Sequence, residues 1–374
     1  MLKSLNIFTI ACHAILIVET IINEIGGFSS MKLLIGGYTK KKSTGIYELP
    51  LTRAKNGLEM QMGPAEEVIK VGGPTYFVQD GKFIFTINNA GDKGGISSFE
   101  LIDGKYQEKD SYLTAGSSPA YIGINQKKKL LYTANYHTAI LAVFSFDNDG
   151  KLTFLDSVTH TADSLGPCPE QADGPHPHFF DQTPQGNLVS CDLGNDCVDF
   201  YSFKNDKLHH LAKYQNEPGF GTRHIVFSPD GNYFYVVGEL SSKINLVKFD
   251  ETNWQFKSIA TYSTIPDDYS DHNGAAAIKI SKDGKFIYAS NRGHDTITVF
   301  AVNDDHTLQL RQRVSTFGEF PRDFNWDKDE KYVVATNQNS DNATLYTRDA
   351  ENGCLTPVQK NIFVPEGTRV LFSE

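Results

Sequence analysis

The stretch Gly221-Thr222-Arg223-His224-Ile225-Val226-Phe227-Ser228-Pro229-Asp230-Gly231-Asn232-Tyr233-Phe234-Tyr235-Val236-Val237 decides the fold, because its pattern returns along the chain. It contains a short apolar strand, an Asp-Gly turn and a second strand of alternating β-formers, which together are typical of a hairpin. The unit recurs seven times and is clearest in residues 118–152, 223–249 and 275–308. A repeat of about 50 residues is typical of stacked or radial all-β architectures.

The two ends of the chain predict how the repeats close. The N-terminal copy, residues 33–49, lacks the first strand that every other copy has. The C-terminal residues 365–372 resemble the first strands at 221–227 and 320–324. A C-terminal strand that joins the N-terminal blade removes exposed sheet edges. We therefore predict an all-β fold with few helices, a closed seven-bladed β-propeller that forms one domain over residues 31–374.

The first 30 residues lie outside the repeat. Residues 7–18 form an apolar run of the length found in signal peptides. Two glutamates follow soon after, however, and no small-x-small cleavage site is evident. Met31 opens the first blade directly, so we expect Met31 to be the working start and residues 1–30 to be an upstream extension. A cleaved signal peptide is the alternative.

Composition limits the classes of partner and the compartment. The chain has 35 basic and 45 acidic residues and a net charge of −10, which argues against nucleic acid or an anionic membrane as a partner. Its five cysteines are odd in number and lack metal-finger spacing, so we expect free thiols in the cytoplasm. We expect a monomer or a weak homodimer.

Polar residues recur at equivalent positions of different blades, and propellers bind ligands where such positions converge at the mouth of the central channel. The residues are His176 and His178 at the start of blade 4, Arg223 and His224 at the start of blade 5, Glu239 after its next strand, Asn291 and Arg292 at the matching point of blade 6, and Arg322 at the start of blade 7. We predict that they meet in one cavity.

Arginines beside an imidazole and a carboxylate suit a small anionic substrate that undergoes proton transfer, with no cofactor. Each group also has a possible structural role. An arginine at a strand end could form an inter-blade salt bridge, Glu239 could only orient an arginine, and the His-x-His pair could cap a turn or ligate a metal. No partner with suitable spacing supports a metal. Residues 37–44 resemble a phosphate loop but lack its second glycine and following helix. Neither a Gly-x-Ser-x-Gly elbow nor a nucleophilic cysteine setting is present.

Four segments together resemble the lactonase family of seven-bladed propellers: residues 221–231, 239–240, 289–300 and 321–324. That family contains propeller-type 6-phosphogluconolactonases and fungal 3-carboxy-cis,cis-muconate lactonising enzymes, and the likeness runs from about Met31 to Phe372. It implies a metal-free site. The implied catalytic residues are His176, with His178 as the second choice, Arg223, Glu239 and Arg292. His178, His224, Asn291 and Arg322 are the implied substrate-binding residues.

Two departures from the family pattern flank the predicted site: Thr222 replaces the usual proline before Arg223, and Gly238 replaces the usual asparagine before Glu239. They leave the geometry of the site open.

The resemblance implies a lactone hydrolase that acts on 6-phospho-D-glucono-1,5-lactone in the oxidative pentose phosphate pathway. The arginines are expected to hold the phosphate or the oxyanion, and His176 or Glu239 to deprotonate the attacking water. A cycloisomerase acting on a carboxylated muconolactone is the second enzyme hypothesis. A non-catalytic propeller that binds proteins through its rim is the third, and it predicts an exposed apolar patch where the enzyme has a charged funnel.

Overall fold

A computed structural model describes residues 31–53 and 60–373 of the chain. Within these ranges the backbone forms 29 strands, arranged in seven antiparallel sheets, and one short 3-10 helix at Pro169–Gln171. The predicted all-β fold is confirmed. The hypotheses on residues 1–30 concern a segment outside the described residues.

Each sheet is one blade of the propeller. Blade 1 contains β1 (Met31–Gly37), β2 (Gly45–Arg53), β3 (Met60–Met62) and β4 (Glu66–Lys70). Blade 2 contains β5 (Phe77–Asp80), β6 (Phe83–Ala90), β7 (Lys93–Ile102) and β8 (Lys105–Ala115). Blade 3 contains β9 (Tyr121–Asn125), β10 (Leu130–Asn135), β11 (Ile140–Phe146) and β12 (Leu152–Thr159). Blade 4 contains β13 (Pro177–Gln182), β14 (Leu188–Asp192), β15 (Cys197–Lys204) and β16 (Lys207–Gln215).

The remaining blades have the same order. Blade 5 contains β17 (Thr222–Phe227), β18 (Tyr233–Gly238), β19 (Lys243–Asp250) and β20 (Gln255–Ser263). Blade 6 contains β21 (Gly274–Ile280), β22 (Phe286–Arg292), β23 (Thr296–Val302) and β24 (Leu308–Ser315). Blade 7 contains β25 (Pro321–Trp326), β26 (Tyr332–Asn337), β27 (Asn342–Arg348) and β28 (Leu355–Phe363). The last strand, β29 (Gly367–Ser373), joins blade 1.

The C-terminal strand closes the ring as predicted. β29 pairs antiparallel with β1, so that Leu371 lies opposite Leu34 and the buried Val370 lies opposite Ile35. β29 thereby becomes the inner strand of blade 1. The seven inner strands then contact one another in the cyclic order β29, β5, β9, β13, β17, β21, β25 and back to β29. This closed circle surrounds the central channel.

The turns that the sequence predicts lie between the first two strands of a blade. Gly231 and Gly284 each have a φ of +71°, a conformation that glycine adopts at no steric cost. Blade 7 has Glu330 at the equivalent position with a φ of +54°. The pattern therefore places the hairpins correctly even where glycine is absent.

The hydrophobic core lies between neighbouring blades. Phe200 of blade 4, for example, packs in one cluster with Phe234 and Phe249 of blade 5, and the ring centroids of Phe200 and Phe249 are 5.1 Å apart. Because a single blade cannot bury its faces alone, stability depends on the whole ring. The outermost pairings of blades 2 to 7 also contain a β-bulge, which makes their exposed edges irregular and less prone to edge-to-edge association.

Among the described residues, four cysteines have free thiols: Cys168, Cys191, Cys197 and Cys354. This agrees with the expectation from the sequence; Cys12 lies outside these residues. A search of the described part of the chain for a helix long and apolar enough to span a bilayer finds none.

Candidate active site

A cavity of about 550 Å³ opens at the end of the channel where the inner strands begin, and we call it the mouth cavity. Four of the residues predicted from the sequence line it: His178, Glu239, Arg292 and Arg322. They come from blades 4, 5, 6 and 7, so ring closure brings together groups that are far apart in sequence. The other four predicted residues lie behind or beside the cavity.

Three of the inner strands carry a β-bulge at the same place, and this bulge determines where three of the predicted side chains point. In β13, β17 and β25 the pairing skips one residue, and the skipped residues are His178, Arg223 and Arg322. A bulge re-aims the side chain of its extra residue. The local backbone thus turns His178 and Arg322 into the mouth cavity and places Arg223 behind it, against Glu239.

A carboxylate holds two of the guanidinium groups together. Oε2 of Glu239 lies 2.8 Å from Nε of Arg223, and Oε1 lies 2.8 Å from Nη2 of Arg292. Arg223, which is only 2% exposed, also donates to the carbonyl of Ala276 at 2.6 Å. Arg292 donates through Nε to the carbonyl of Gly274 at 3.1 Å. Both guanidinium groups are therefore fixed by the carboxylate and by the backbone of β21.

The charges in this cluster persist at neutral pH. Burial alone would raise the pKa of Glu239, but Arg292 and Arg223 outweigh it and hold the pKa at about 2. Burial, followed by the neighbouring Arg292, lowers the pKa of Arg223 to about 9, which is still above neutrality. Within residues 31–53 and 60–373 no carboxylate lies within ion-pair distance of Arg322. Three guanidinium groups and one carboxylate leave an excess of two positive charges.

The two histidines of the His-x-His pair have different surroundings. His178 lines the mouth cavity, where its Nε2 lies 3.5 Å from Nη2 of Arg322. His176 points away from the cavity: its ring stacks on Tyr136, Nδ1 lies 2.8 Å from the carbonyl of Tyr136, and Nε2 lies 2.9 Å from Asp173. His178 is therefore the histidine of the pair that can reach a ligand in the mouth cavity, whereas the family resemblance implied His176 as the first choice.

His224 lies beneath His178, and its Nε2 is 3.1 Å from Nδ1 of His178. Burial, reinforced by the charge of Arg223, lowers the pKa of both imidazoles well below the usual range. Both rings are accordingly neutral. Asn291 is buried inside blade 6, where it bonds to Thr264, Thr296 and Thr298, and it does not line the mouth cavity.

The two departures from the family pattern are accommodated locally. A side chain at position 238 would have its Cβ only 2.4 Å from the carbonyl oxygen of Phe220, so the backbone there leaves room only for glycine. Thr222 is fully buried, and its hydroxyl accepts a hydrogen bond of 2.9 Å from Asn216. Neither residue removes a charged group from the site.

Sequence reasoning missed Tyr38 and Lys40, which line the mouth cavity on the side of blade 1. Two cations lie near the ring of Tyr38: Nζ of Lys40 is 4.5 Å and Cζ of Arg322 is 5.6 Å from its centroid. The charge of Arg322 lowers the pKa of Tyr38 against the opposing effect of burial. A signal existed, because Tyr38 follows β1 as Glu239 follows the equivalent strand β18.

The loop that resembled a phosphate loop is closed by a carboxylate of the chain itself. Glu366 accepts hydrogen bonds of 2.9–3.1 Å from the four backbone N–H groups of residues 40–43. These donors are therefore not open to a ligand, which supports the interpretation of the segment as structural. The carboxylate instead fixes the position of Lys40 at the rim.

Neutral polar groups form the opposite wall of the mouth cavity, contributed by Asn89, Ser117 and Ser118 of blades 2 and 3. None of the large apolar residues that are exposed among the described residues lines this cavity. The mouth is thus a charged funnel. A search of the described residues finds no cluster of three or more His, Cys, Asp or Glu side chains placed to hold a metal ion.

Comparison with known proteins gives consistent results. The family model described as "Lactonase, 7-bladed beta-propeller" matches residues 32–372. The 6-phosphogluconolactonase of Bacillus subtilis is 35% identical over 345 residues, which cover 90% of this chain and 97% of the relative. The crystal structure of a protein from Lactobacillus plantarum is similar with a TM-score of 0.87 and 41% identity, covering 92% of this chain and 100% of that one. The periplasmic gluconolactonase of Pseudomonas aeruginosa has a TM-score of 0.82 and 26% identity, with 92% and 99% covered.

Proposed function

We propose a substrate and a mechanism for this chain, which belongs to the lactonase family of seven-bladed β-propellers and is a lactone hydrolase. Its substrate is 6-phospho-D-glucono-1,5-lactone, which it opens to 6-phosphogluconate. The relative from Bacillus subtilis bears the name of this activity. The roles given below to single residues are part of the proposal.

The observation that carries the proposal is the excess of positive charge in the mouth cavity. Three guanidinium groups meet one carboxylate there, and Lys40 stands at the rim. A phosphate carries a charge of about −1.5 to −2 at neutral pH, which this excess balances. Lys40 can bond a phosphate oxygen directly, and the guanidinium groups attract the anionic substrate through the positive field of the cavity. An uncharged sugar lactone would leave the excess unbalanced.

The arrangement of the cations suggests how the substrate lies. Arg322 adjoins Nε2 of His178, so a water molecule bound to this nitrogen sits beside Arg322. The lactone carbonyl that the water attacks must lie there too, with its oxygen toward Arg322 and Arg292. Lys40, which also contacts the ring of Tyr38 and stands at the rim, then takes the phosphate at the far end of the substrate.

In the proposed reaction, the bound substrate draws the N–H of Arg322 from Nε2 of His178 to the lactone carbonyl. The freed lone pair of the neutral His178 then accepts a proton from water as the water oxygen attacks the carbonyl carbon. Arg322 and Arg292 stabilise the oxyanion that develops, an effect typically worth about 10²–10³ in kcat per donor. Glu239 is too weak a base for this step, because its pKa is about 2. It positions Arg292 and Arg223 instead. The sequence-based assignment of the base to His176 or Glu239 is thus replaced by His178.

The test uses purified protein with 6-phosphogluconolactone and with unphosphorylated glucono-1,5-lactone, after subtraction of the spontaneous rates. We expect clear acceleration for the phosphorylated lactone, with and without a chelator. Lys40→Met should lower kcat/KM about 10-fold for the phosphorylated lactone only, as expected for a charged hydrogen bond. Lys41→Met, next in the chain, is the matched control. A wild-type rate equal to the spontaneous one, or activity on a carboxylated muconolactone instead, would reject the substrate.

We further propose that the reaction belongs to the oxidative pentose phosphate pathway in the cytoplasm and that the protein is a monomer or a weak homodimer. The free thiols of Cys168, Cys191, Cys197 and Cys354 support a reducing compartment. The relative in Pseudomonas aeruginosa is periplasmic, so cell fractionation is the direct test. Recovery of the protein outside the cytoplasm, or a stable higher oligomer in size-exclusion chromatography, would contradict these proposals.

A further inference from the structure

A second cavity lies in the central channel beneath the mouth cavity, and we call it the lower cavity. It has a volume of about 250 Å³, and its polar lining comes from His224, Lys279, Asp323 and Asn325. Lys279 and Asn325, near the ends of β21 and β25, are partly exposed, so the cavity reaches solvent away from the mouth. The channel thus has two chambers.

The two chambers meet at a pair of histidines. His178 lines the mouth cavity, His224 lines the lower cavity, and Nδ1 of His178 lies 3.1 Å from Nε2 of His224. Their ring centroids are 5.1 Å apart. One hydrogen bond between two imidazoles is therefore a direct polar connection between the chambers.

The neighbours of the pair fix where its protons lie. Nη2 of Arg322 lies 3.5 Å from Nε2 of His178 and can only donate, so we assign Nε2 as the acceptor and place the proton of this neutral ring on Nδ1. That N–H donates to Nε2 of His224, which leaves the proton of His224 on Nδ1. Both hydrogen bonds then run in the same direction, from the mouth cavity to the lower cavity. This is the arrangement that lets protons move in sequence along a chain.

We propose that His178 and His224 form a proton relay, which moves positive charge from the reacting water into the lower cavity and returns it to the departing ring oxygen. The proposal rests on the proposed function, in which water bound at His178 attacks a lactone. His178 is the catalytic base of that scheme. His224 acts through His178 and is a positioning and relay residue.

The steps balance in protons and bonds. As the water oxygen bonds to the lactone carbon, its proton moves to Nε2 of His178, the Nδ1 proton of His178 moves to Nε2 of His224, and the Nδ1 proton of His224 moves to water in the lower cavity. When the bond between the carbonyl carbon and the ring oxygen breaks, the same three transfers run backwards. The ring oxygen leaves as a hydroxyl, and the carboxylic acid product then ionises into solvent.

The positive charges around the mouth cavity make it unfavourable for His178 to keep a proton. Burial and the charges of Arg223 and Arg322 lower the pKa of His178, so an imidazolium there is disfavoured. A proton taken from water is therefore better moved on than kept. The lower cavity offers the carboxylate of Asp323, which lies 3.1 Å from Arg369 and 3.9 Å from Lys279. Two cations share this carboxylate, and burial and Arg223 lower the pKa of His224 as well, so the proton stays on neither imidazole and passes to water in the lower cavity.

The kinetic test replaces His224 by glutamine, whose side chain still accepts a hydrogen bond from His178 but cannot pass a proton on. We expect kcat to fall about 100-fold with KM unchanged, at the lower end of the range of general acid–base effects. His210→Gln is the matched control, because His210 bonds Asp199 at 2.8 Å and lines neither cavity. The variant and control should unfold at the same temperature as the wild type.

A proton inventory, the rate measured across mixtures of H2O and D2O, separates a relay from a packing role. The wild type should give a curved dependence on deuterium content, because several protons move together, and His224→Gln should give a straight line. Equal kcat for His224→Gln and the wild type, or the same curvature in both, would overturn the relay.

A measurement on the resting protein does not depend on the substrate. Long-range ¹H–¹⁵N spectra of the wild type should show both His178 and His224 with the proton on Nδ1. A proton on Nε2 of either ring overturns the relay whatever the protein hydrolyses. If the wild type does not accelerate the hydrolysis of 6-phosphogluconolactone, the proposed substrate is rejected and the relay is not. The kinetic test then uses a lactone that the protein does hydrolyse.

Discussion

Replacement of Glu239 by glutamine removes the counter-charge of two buried guanidinium groups. Holding the pKa of Glu239 at about 2 instead of its ordinary 4.5 corresponds to roughly 3 kcal/mol of stability at neutral pH. The same size, about 3–5 kcal/mol, is typical when one partner of a buried ion pair is removed. Arg223 and Arg292 are 2% and 4% exposed, so water from the mouth cavity can compensate only a small part of the lost ion pairs. We therefore expect Glu239→Gln to lower the free energy of unfolding by about 3 kcal/mol.

The effect has a defined pH dependence. Because the pKa of the carboxylate is lower in the folded state, its stabilisation is complete above about pH 4.5 and is lost as the pH falls toward 2. Urea unfolding of wild type and variant should therefore differ by roughly 3 kcal/mol near pH 7 and by roughly 1 kcal/mol near pH 3. Glu217→Gln, which removes an exposed partner of Lys243, should cost about 0.5 kcal/mol or less at both pH values. A difference for Glu239→Gln below 1 kcal/mol at pH 7, or one independent of pH, would refute the reasoning.

Three further substitutions test other parts of the account. Tyr38→Phe should raise KM for the phosphorylated lactone about 10-fold, because the Tyr38 hydroxyl, near two cations, donates a hydrogen bond to the anionic substrate. An unchanged KM would contradict this. Glu366→Gln should raise KM for the phosphorylated lactone about 5-fold with kcat retained, since a neutral amide binds the N–H groups of residues 40–43 less strongly and holds Lys40 less firmly. An equal loss of kcat/KM for the phosphorylated and the unphosphorylated lactone would contradict this. Val370→Asp buries a charge at the ring closure and should lower the free energy of unfolding by about 3 kcal/mol or more; an unchanged melting temperature would count against closure by β29.

The fold could be predicted because it repeats. Turn chemistry and alternating β-formers return seven times, so an ambiguous copy is corrected by its neighbours, as at Glu330. The N-terminal copy lacks its first strand and the C-terminus has one strand more than its own blade needs, so the two ends together predict the ring closure. β-Bulges could not be predicted, because an extra residue in one strand depends on its pairing with the next.

The bulge in β13 places His178 at the mouth cavity, whereas the family resemblance gave His176 as the first choice. His178 follows Pro177 as Arg322 follows Pro321, and both are the skipped residue of their strand. This spacing was visible in the sequence, whereas the stacking of His176 on Tyr136 was not. Tyr38 was not predicted as a site residue for a different reason. Its importance comes from the closing of the ring, which brings blade 1 beside Arg322 of blade 7.

The central claim is that an anionic lactone reacts in the mouth cavity with Arg322 at its carbonyl oxygen. Its most direct test is the initial rate of 6-phosphogluconolactone hydrolysis by the wild type and by Arg322→Ala, with the spontaneous rate subtracted. The account predicts rapid hydrolysis by the wild type and a loss of about 100-fold or more in kcat for the variant. Wild-type kcat in Arg322→Ala would contradict it.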